Sequence, residues 1–337
     1  MHYIIKNNIM SSIMNQNEIY KNNQSFFQTC IGSNPLPAPE ILKKTLNVHS
    51  DKKDYTSNKG IPELNSILKL RYGENKKVLI GNGSKPLLFN LINNWEHRIV
   101  LITPAWPCYL EQINYCKKDF IIISANLQQK YKINPSQIKN NCKQNDLIIF
   151  NNPCNPTSVS YTINEIKKIA KACRDVGAFV LSDEIYLQLS FHETTSISNF
   201  LSDFTIISSS LSKESACGGY RLGWMLFPPI LKKLYEKLLY VSNITYSTTS
   251  HPLQHVAIEF LSNVTDMNKH FVQSRNIFET ITNNVYYYLQ QNTKLLMVKP
   301  QSSWYLYLDF ENYKTKLKKL GIENNIQLSD YLIDNLY

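Results

Sequence analysis

Glycine is scarce in this chain: 10 residues in 337, fewer than the 14 prolines. The deficit, with an abundance of asparagine and lysine, matches a coding bias towards AT-rich codons, and it makes the few places where glycines gather conspicuous. Long apolar runs are missing as well. No stretch approaches the ~18 consecutive apolar residues of a membrane helix. Lys or Asn interrupts each short apolar run of "MHYIIKNNIMSSIMNQNEIYKNNQ", so the continuous apolar core of a signal peptide is lacking. The seven cysteines, Cys30, Cys108, Cys116, Cys142, Cys154, Cys173 and Cys217, are odd in number, contain no CxxC and have no histidine at zinc-ligand spacing. No metal site is expected from them, and a reducing cytoplasm fits them best. Acidic residues are outnumbered 26 to 36, giving a net charge of +10. The lysines are scattered among Asn and Glu rather than grouped in blocks. The excess therefore reads as a solvated basic surface and not as a nucleic-acid platform, which needs clustered charge.

What is present suffices for a large core. With 43% hydrophobic residues, a chain of this length builds one big domain plus a smaller one. Its middle repeats a short β-rich run, a turn and a helical pattern. "KKVLIGNGSKPLLFNLINNW" reads as strand, glycine turn and helix, and "HRIVLITPAWPCYLEQINYC" repeats that order. "DFIIISA", "DLIIFNNPCNP", "AFVLSDEIY" and "FTIISSSLS" are compact apolar strands, while "INEIKKIAKACRDVG" is an amphipathic helix closed by Gly177. Strands apolar on both faces and alternating with helices predict a mainly parallel sheet covered on both sides. After "HPLQHVAIEFLSNV" the pattern changes to a long helix, about residues 268 to 291, and then to "KLLMVKP" and "SSWYLYLDF", which read as a strand pair in a second, α+β unit.

The polar clusters fall just after predicted strands, where open α/β sheets bind their ligands. In "GNGSKPLLF", Gly81 and Gly83 permit a tight turn that sets Ser84 and Lys85 at a helix start, suited to a phosphate; the same pattern also serves as a plain strand-to-helix turn. Trp106, between two prolines in "TPAWPCY", is either core or a rigid aromatic surface for a planar ligand. Prolines in "NNPCNPTSVSY" fix the side-chain amide of Asn155. Asp183, directly after the apolar run "AFVLS", is costly to bury without a partner, although a capping role accounts for it too. Tyr186 lies three residues on.

The serine-rich run "SSSLSKESACGGYRLGW" places a lone lysine, Lys213, at the end of a buried strand. An amine nucleophile must be unprotonated, and a dry, positively charged setting lowers its pKa. Arg221 supplies fixed positive charge suited to a phosphate, Gly218, Gly219 and Gly223 allow close backbone approach, and Ser210 and Ser212 add hydroxyl donors. Together these residues describe a planar pyridine aldehyde bearing a phosphate. That ligand is pyridoxal 5′-phosphate, which takes a Schiff-base lysine and an acidic partner for its ring nitrogen.

With these motifs in view, the sequence resembles the class I/II aminotransferases of fold type I, especially the bacterial aspartate-aminotransferase-like group. "IGSNPLPAPEIL", "YTSNKGIPELNSIL" and "SLSKESACGGYRLG" are similar to that family's segments and occur in its order, over roughly residues 30 to 310. The resemblance implies a mainly parallel seven-stranded sheet sandwiched by helices plus an incomplete small domain. It also implies an N-terminal segment 1–50 shared with the small domain, a large cofactor domain 51–275 and a C-terminal small domain 276–337. By the same resemblance, Lys213 would carry the cofactor and shuttle the proton, and Asp183 would keep the ring nitrogen protonated. Asn155 and Tyr186 would bond the phenolic oxygen, and Trp106 would stack on the ring. Gly83, Ser84, Lys85, Ser210, Ser212 and Arg221 would surround the phosphate, with Tyr55 reaching that of the other subunit in a homodimer. Gly32 and Asn155 would face the carboxylate of the amino-acid or 2-oxo-acid substrate.

Two departures stand out. Ser158 occupies a turn position where the family has glycine, which costs about 1 kcal/mol if φ is positive there. No residue after Phe310 matches the arginine that grips the substrate carboxylate, and a small domain stopping short is expected to leave an apolar face uncovered. Decarboxylation or β-elimination on the same cofactor, and cofactor binding without turnover, are the alternatives to transamination, since fold and cofactor do not fix which bond breaks.

Overall fold

The computed structural model describes residues 32–336; Cys30 and the first 31 residues of the expected N-terminal segment lie outside them. Two helices, α1 (Glu40–Val48) and α2 (Pro62–Tyr72), precede the sheet. Then strands and helices alternate as β1 (Lys77–Gly81), α3 (Ser84–Asn94), β2 (Ile99–Thr103), α4 (Pro107–Tyr115), β3 (Phe120–Ser124), α5 (Pro135–Asn141), β4 (Leu147–Asn151), α6 (Ile163–Val176) and β5 (Phe179–Asp183). β6 (Thr205–Ser210) and β7 (Gly223–Phe227) complete a seven-stranded sheet of order β1-β7-β6-β5-β4-β2-β3. All neighbours are parallel except β7, which runs antiparallel to both β1 and β6.

Because strand side chains alternate, each strand feeds two cores. Leu79, Leu101, Ile149, Leu181, Ile206 and Met225 face α3, α4 and the helix α7 (Lys232–Tyr246) through Leu87, Leu91, Tyr109, Ile113 and Leu238. On the opposite face, Val100, Ile148 and Val180 pack on Ile166, Ile169 and Cys173 of α6. Val78, Ile80 and Ile207 there pack on α1, α2 and two further helices, α8 (His251–Ser262) and α9 (Val264–Asn292). Burying one such leucine contributes roughly 2 kcal/mol. Local signals agree with this packing. Thr162 and Glu165 form a reciprocal capping box at the start of α6, and Gly177 ends it in the left-handed conformation at φ 72°.

The long helix α9 begins earlier than the hydrophobic pattern suggests, because the Asn263 side chain accepts from the amide of Asp266 at 3.0 Å and caps it. The expected strand pair after it shrinks to a single bridge, Leu296 with Asp309. The reason is competition: backbone groups of 301–303 bond to loops of the large sheet instead. Gln301 N donates to Ser158 O (2.9 Å), Phe191 N to Gln301 O (2.8 Å) and Ser303 N to Leu189 O (3.1 Å). The chain then closes with α10 (Lys314–Lys319) and α11 (Asn325–Leu336). Along α9, Ile277, Ile281, Val285 and Tyr288 are exposed in an apolar stripe. No described helix is long and apolar enough to cross a membrane.

Candidate active site

Five strand ends meet at one edge of the sheet: the carboxyl ends of β1, β4, β5 and β6, and the amino end of β7, which reaches that edge because it runs backwards. Asp183 is the last residue of β5 and is buried. Its Oδ2 accepts a short hydrogen bond from the Tyr109 hydroxyl, presented by the first turn of α4. Its Oδ1 is buried and has no hydrogen-bond partner among the described residues. Burial pushes the carboxyl up to about 6, against the pull of the Tyr109 bond, the Ile185 amide dipole and the charge of Lys213. A desolvated carboxylate with one idle oxygen is a strong acceptor for a cationic N–H.

Lys213 follows β6. Its carbonyl accepts from the Asn34 side chain at 2.7 Å, and its ammonium donates to the carbonyl of Gly32, so two N-terminal residues position it. Burial, then the charges of Arg221 and Lys85, bring the amine down to about 8, with Asp183 opposing. The dryness and positive surroundings expected from the sequence are both present.

Those cations mark a second corner. Gly83 sits at φ +88°, and a Cβ there would collide with the Arg221 guanidinium. Arg221, itself left-handed at φ 54°, donates to Gly218 O (2.8 Å) and Asn82 O (3.2 Å). A Cβ on Gly223 of β7 would lie 2.6 Å from Ser84 N. The guanidinium is thus pressed against the start of α3, whose first-turn amides have no intrahelical acceptor, an arrangement for an oxyanion. Ser210 Oγ accepts from Ser212 N at 3.1 Å beside it. The Lys85 ammonium lies 5.2 Å from the centre of the Trp106 ring, which meets Tyr109 edge to face at 5.3 Å. Trp106 is therefore tied through Tyr109 to Asp183.

A third corner consists of an amide and two phenols. Asn155, whose own N–H bonds Asn151 Oδ1 (2.7 Å), directs Nδ2 to the hydroxyls of Tyr186 (3.5 Å) and Tyr305 (3.4 Å). The two hydroxyls are 2.6 Å apart. Burial, and then Tyr305, push the Tyr186 phenol well above its ordinary value. Tyr305 arrives on the 301–305 segment, held by Ser158, whose φ is 54° as the glycine-like position demands. The Ser158 hydroxyl donates to Tyr305 O (2.8 Å) and contacts Ser303 Oγ (3.1 Å). A Cβ on Gly32 would collide with the Tyr305 hydroxyl, so any larger residue there would displace that phenol.

The structure gathers Gly32, Gly83, Ser84, Lys85, Trp106, Asn155, Asp183, Tyr186, Ser210, Ser212, Lys213 and Arg221 around this edge. Tyr55 stands apart at 91% exposure. Sequence reasoning missed Tyr109, Tyr305, Asn34 and Asn82. Tyr109 had one signal, its place one helical turn after Trp106; Asn34 acts through its side-chain amide on the Lys213 carbonyl and Asn82 through its own carbonyl, contacts that no pattern marks. The donor set fits pyridoxal phosphate, with Asp183 Oδ1 for the ring nitrogen, Lys213 for the aldehyde, and Arg221 with the α3 start for the phosphate.

Comparison with known proteins points the same way. The family described as "Aminotransferase class I and II" matches residues 28–336. A probable aspartate/prephenate aminotransferase of Aquifex aeolicus is 27% identical, over 90% of this chain and 79% of its own length. The aspartate aminotransferase of Bacillus subtilis is 26% identical, over 80% and 70% respectively. Among solved structures, the aspartate aminotransferase from Thermus thermophilus with maleate superposes with a TM-score of 0.82 at 18% identity, covering 94% of this chain and 87% of that one, which shows the shared fold. Fold, cofactor-binding chemistry and a family match running almost the whole length of the chain converge: this protein belongs to the class I and II aminotransferases and is a pyridoxal-phosphate-dependent enzyme.

Proposed function

We propose that the protein exchanges an amino group between an amino acid and a 2-oxo acid at the edge formed by β1, β4, β5, β6 and β7, with aspartate, named in several relatives, as the first donor to test. The carrying observation is the pairing of a buried carboxylate that has an idle oxygen with a lysine whose amine is brought down to about 8. When bound, pyridoxal phosphate supplies an electrophilic carbon and a ring that stores an electron pair. The chain supplies the rest. Asp183 holds a proton on the ring nitrogen, and Tyr109 holds Asp183. Asn155 and Tyr186 orient the ring through its phenolic oxygen, and Trp106 covers one face. Gly83, Ser84, Lys85, Ser210, Ser212 and Arg221 fix the phosphate. Lys213 Nζ, brought down to about 8 and so about half unprotonated at pH 8, would take the proton from the substrate Cα and hold it for return. Gly32 and Asn155 face the substrate carboxylate.

In this reading residues 51–275 form the cofactor domain, and 1–50 with 276–337 the smaller one. The protein works in the cytoplasm as a homodimer, which gives exposed Tyr55 a role at the partner's phosphate. The test is an absorbance spectrum of purified protein with pyridoxal phosphate, before and after a panel of amino acids beginning with aspartate, with Lys213→Ala in parallel. A visible band that bleaches on adding an amino acid, with release of the matching 2-oxo acid only when Lys213 is present, is expected. Release of carbon dioxide or ammonia instead would replace transamination by decarboxylation or elimination; a band that responds to no amino acid would reduce the protein to a cofactor binder.

A further inference from the structure

Tyr305 enters the site from the far end of the chain, and its hydroxyl lies at the centre of the third corner, 2.6 Å from Tyr186 OH and 3.4 Å from Asn155 Nδ2. It is not a loosely placed side chain. Its backbone oxygen is bonded by Ser158, its ring lies edge-on to Tyr186 at 5.7 Å and tilted against Trp304 at 5.5 Å, and its oxygen lies against the Cα of Gly32.

Proton counting gives the bond between the two phenols a direction. A phenol has one proton and two acceptor sites. If Tyr186 gives its single proton to the cofactor's phenolic oxygen, its oxygen can only accept from its other neighbours. Tyr305 must then be the donor along the 2.6 Å contact, with the Asn155 amide at 3.5 Å as the second donor. We propose that Tyr305 is a positioning residue for the transamination reaction: its hydroxyl donates to Tyr186, aims the Tyr186 proton at the cofactor's phenolic oxygen and makes Tyr186 a stronger donor. The proposal rests on the cofactor role assigned above to Tyr186. Linked hydrogen bonds polarise one another in a dry site, so each link strengthens the next. Asp183 and Tyr109 are the other ionisable groups of the site that act on Tyr186, and neither hydrogen-bonds its hydroxyl, which leaves Tyr305 and the Asn155 amide as its donors.

The readout is the pH midpoint of the visible band of the protein loaded with pyridoxal phosphate. A stronger donor at the phenolic oxygen favours its anionic form and weakens that oxygen's hold on the proton of the lysine-bound nitrogen, which lowers the midpoint. Tyr305→Phe keeps the ring packing and removes only the oxygen, so the midpoint should rise by about half a unit. If Tyr305 acts through Tyr186, the same substitution made in a Tyr186→Phe background should move the midpoint by less than half as much. Tyr307→Phe, two residues along, should leave it in place, and circular dichroism melts confirm that each variant is folded. No rise in Tyr305→Phe, a fall, or an equal rise in both backgrounds overturns the proposal. Absence of a visible band in the unsubstituted protein is a different failure: it overturns the cofactor assignment itself, and this proposal with it.

Discussion

Tyr109→Phe is the sharpest test of the site, because it removes one hydroxyl and leaves the shape of the core. Tyr109 and Asp183 are both buried, and the phenol is the only side-chain donor to that carboxylate among the described residues. Asp183 is raised from 3.8 to about 6. Folding is therefore opposed increasingly as pH climbs through that window: a rise of about two pH units, at 1.36 kcal/mol each, means that ionised Asp183 costs about 3 kcal/mol above pH 6. A hydrogen bond to a charged group contributes about 1.5–3 kcal/mol. Losing it should raise Asp183 by a further one to two pH units, to about 7–8. Since the ring nitrogen needs the ionised carboxylate, the acid limb of pyridoxal phosphate binding should move up by the same amount. Fluorescence titration of the cofactor at a series of pH values, run in parallel for both proteins, cancels the titration of the ligand's own phosphate. Denaturant unfolding of the cofactor-free proteins at pH 5 and pH 8 should show a larger loss at pH 8 for the variant. An acid limb that does not move would refute the role of Tyr109 and with it the assignment of Asp183 as the partner of the ring nitrogen.

Two further substitutions probe the scaffold. Gly83→Ala places a methyl group against the Arg221 guanidinium at a backbone angle of +88°. It should weaken pyridoxal phosphate binding at least ~10-fold while costing about 1–2 kcal/mol in stability, read by cofactor titration and denaturant unfolding. Ser158→Ala removes the bonds to Tyr305 O and Ser303 Oγ and should cost about 1–2 kcal/mol. Ser158→Gly loses the same bonds but relieves the left-handed strain, so it should prove more stable than the alanine variant by about 1 kcal/mol. Equal stabilities would show that the strain is absorbed elsewhere.

The succession of strands along the chain, the mainly parallel sheet and the cofactor were legible, and the expected site residues lie near one edge, because these features rest on local rules. Apolar runs mark buried strands, and Asp183, Lys213 and Arg221 are expensive residues placed just beyond them. Asn263 shifted a helix start because capping is decided by one side chain that the apolar periodicity does not register. The strand pair after residue 294 failed because pairing is a competition, and the loop at Ser158 and the segment 187–191 offered residues 301–303 better partners than each other. Tyr305 was illegible for the same reason: its importance comes from where that segment docks, which no spacing within "SSWYLYLDF" encodes.

The docking of the 301–305 segment also has a consequence for how the protein is made. Tyr186 and Tyr305 are 119 residues apart, and Gly32 and Lys213 are 181 apart. At a synthesis rate of about 5–20 residues per second, the second phenol leaves the ribosome roughly 6–24 s after the first. Once Lys213 has also been made, about 92 residues and roughly 5–18 s remain, during which the nascent sheet holds its carboxylate and lysine with the third corner open to water. Cofactor captured during synthesis would meet the lysine before it meets the full set of groups that orient the ring.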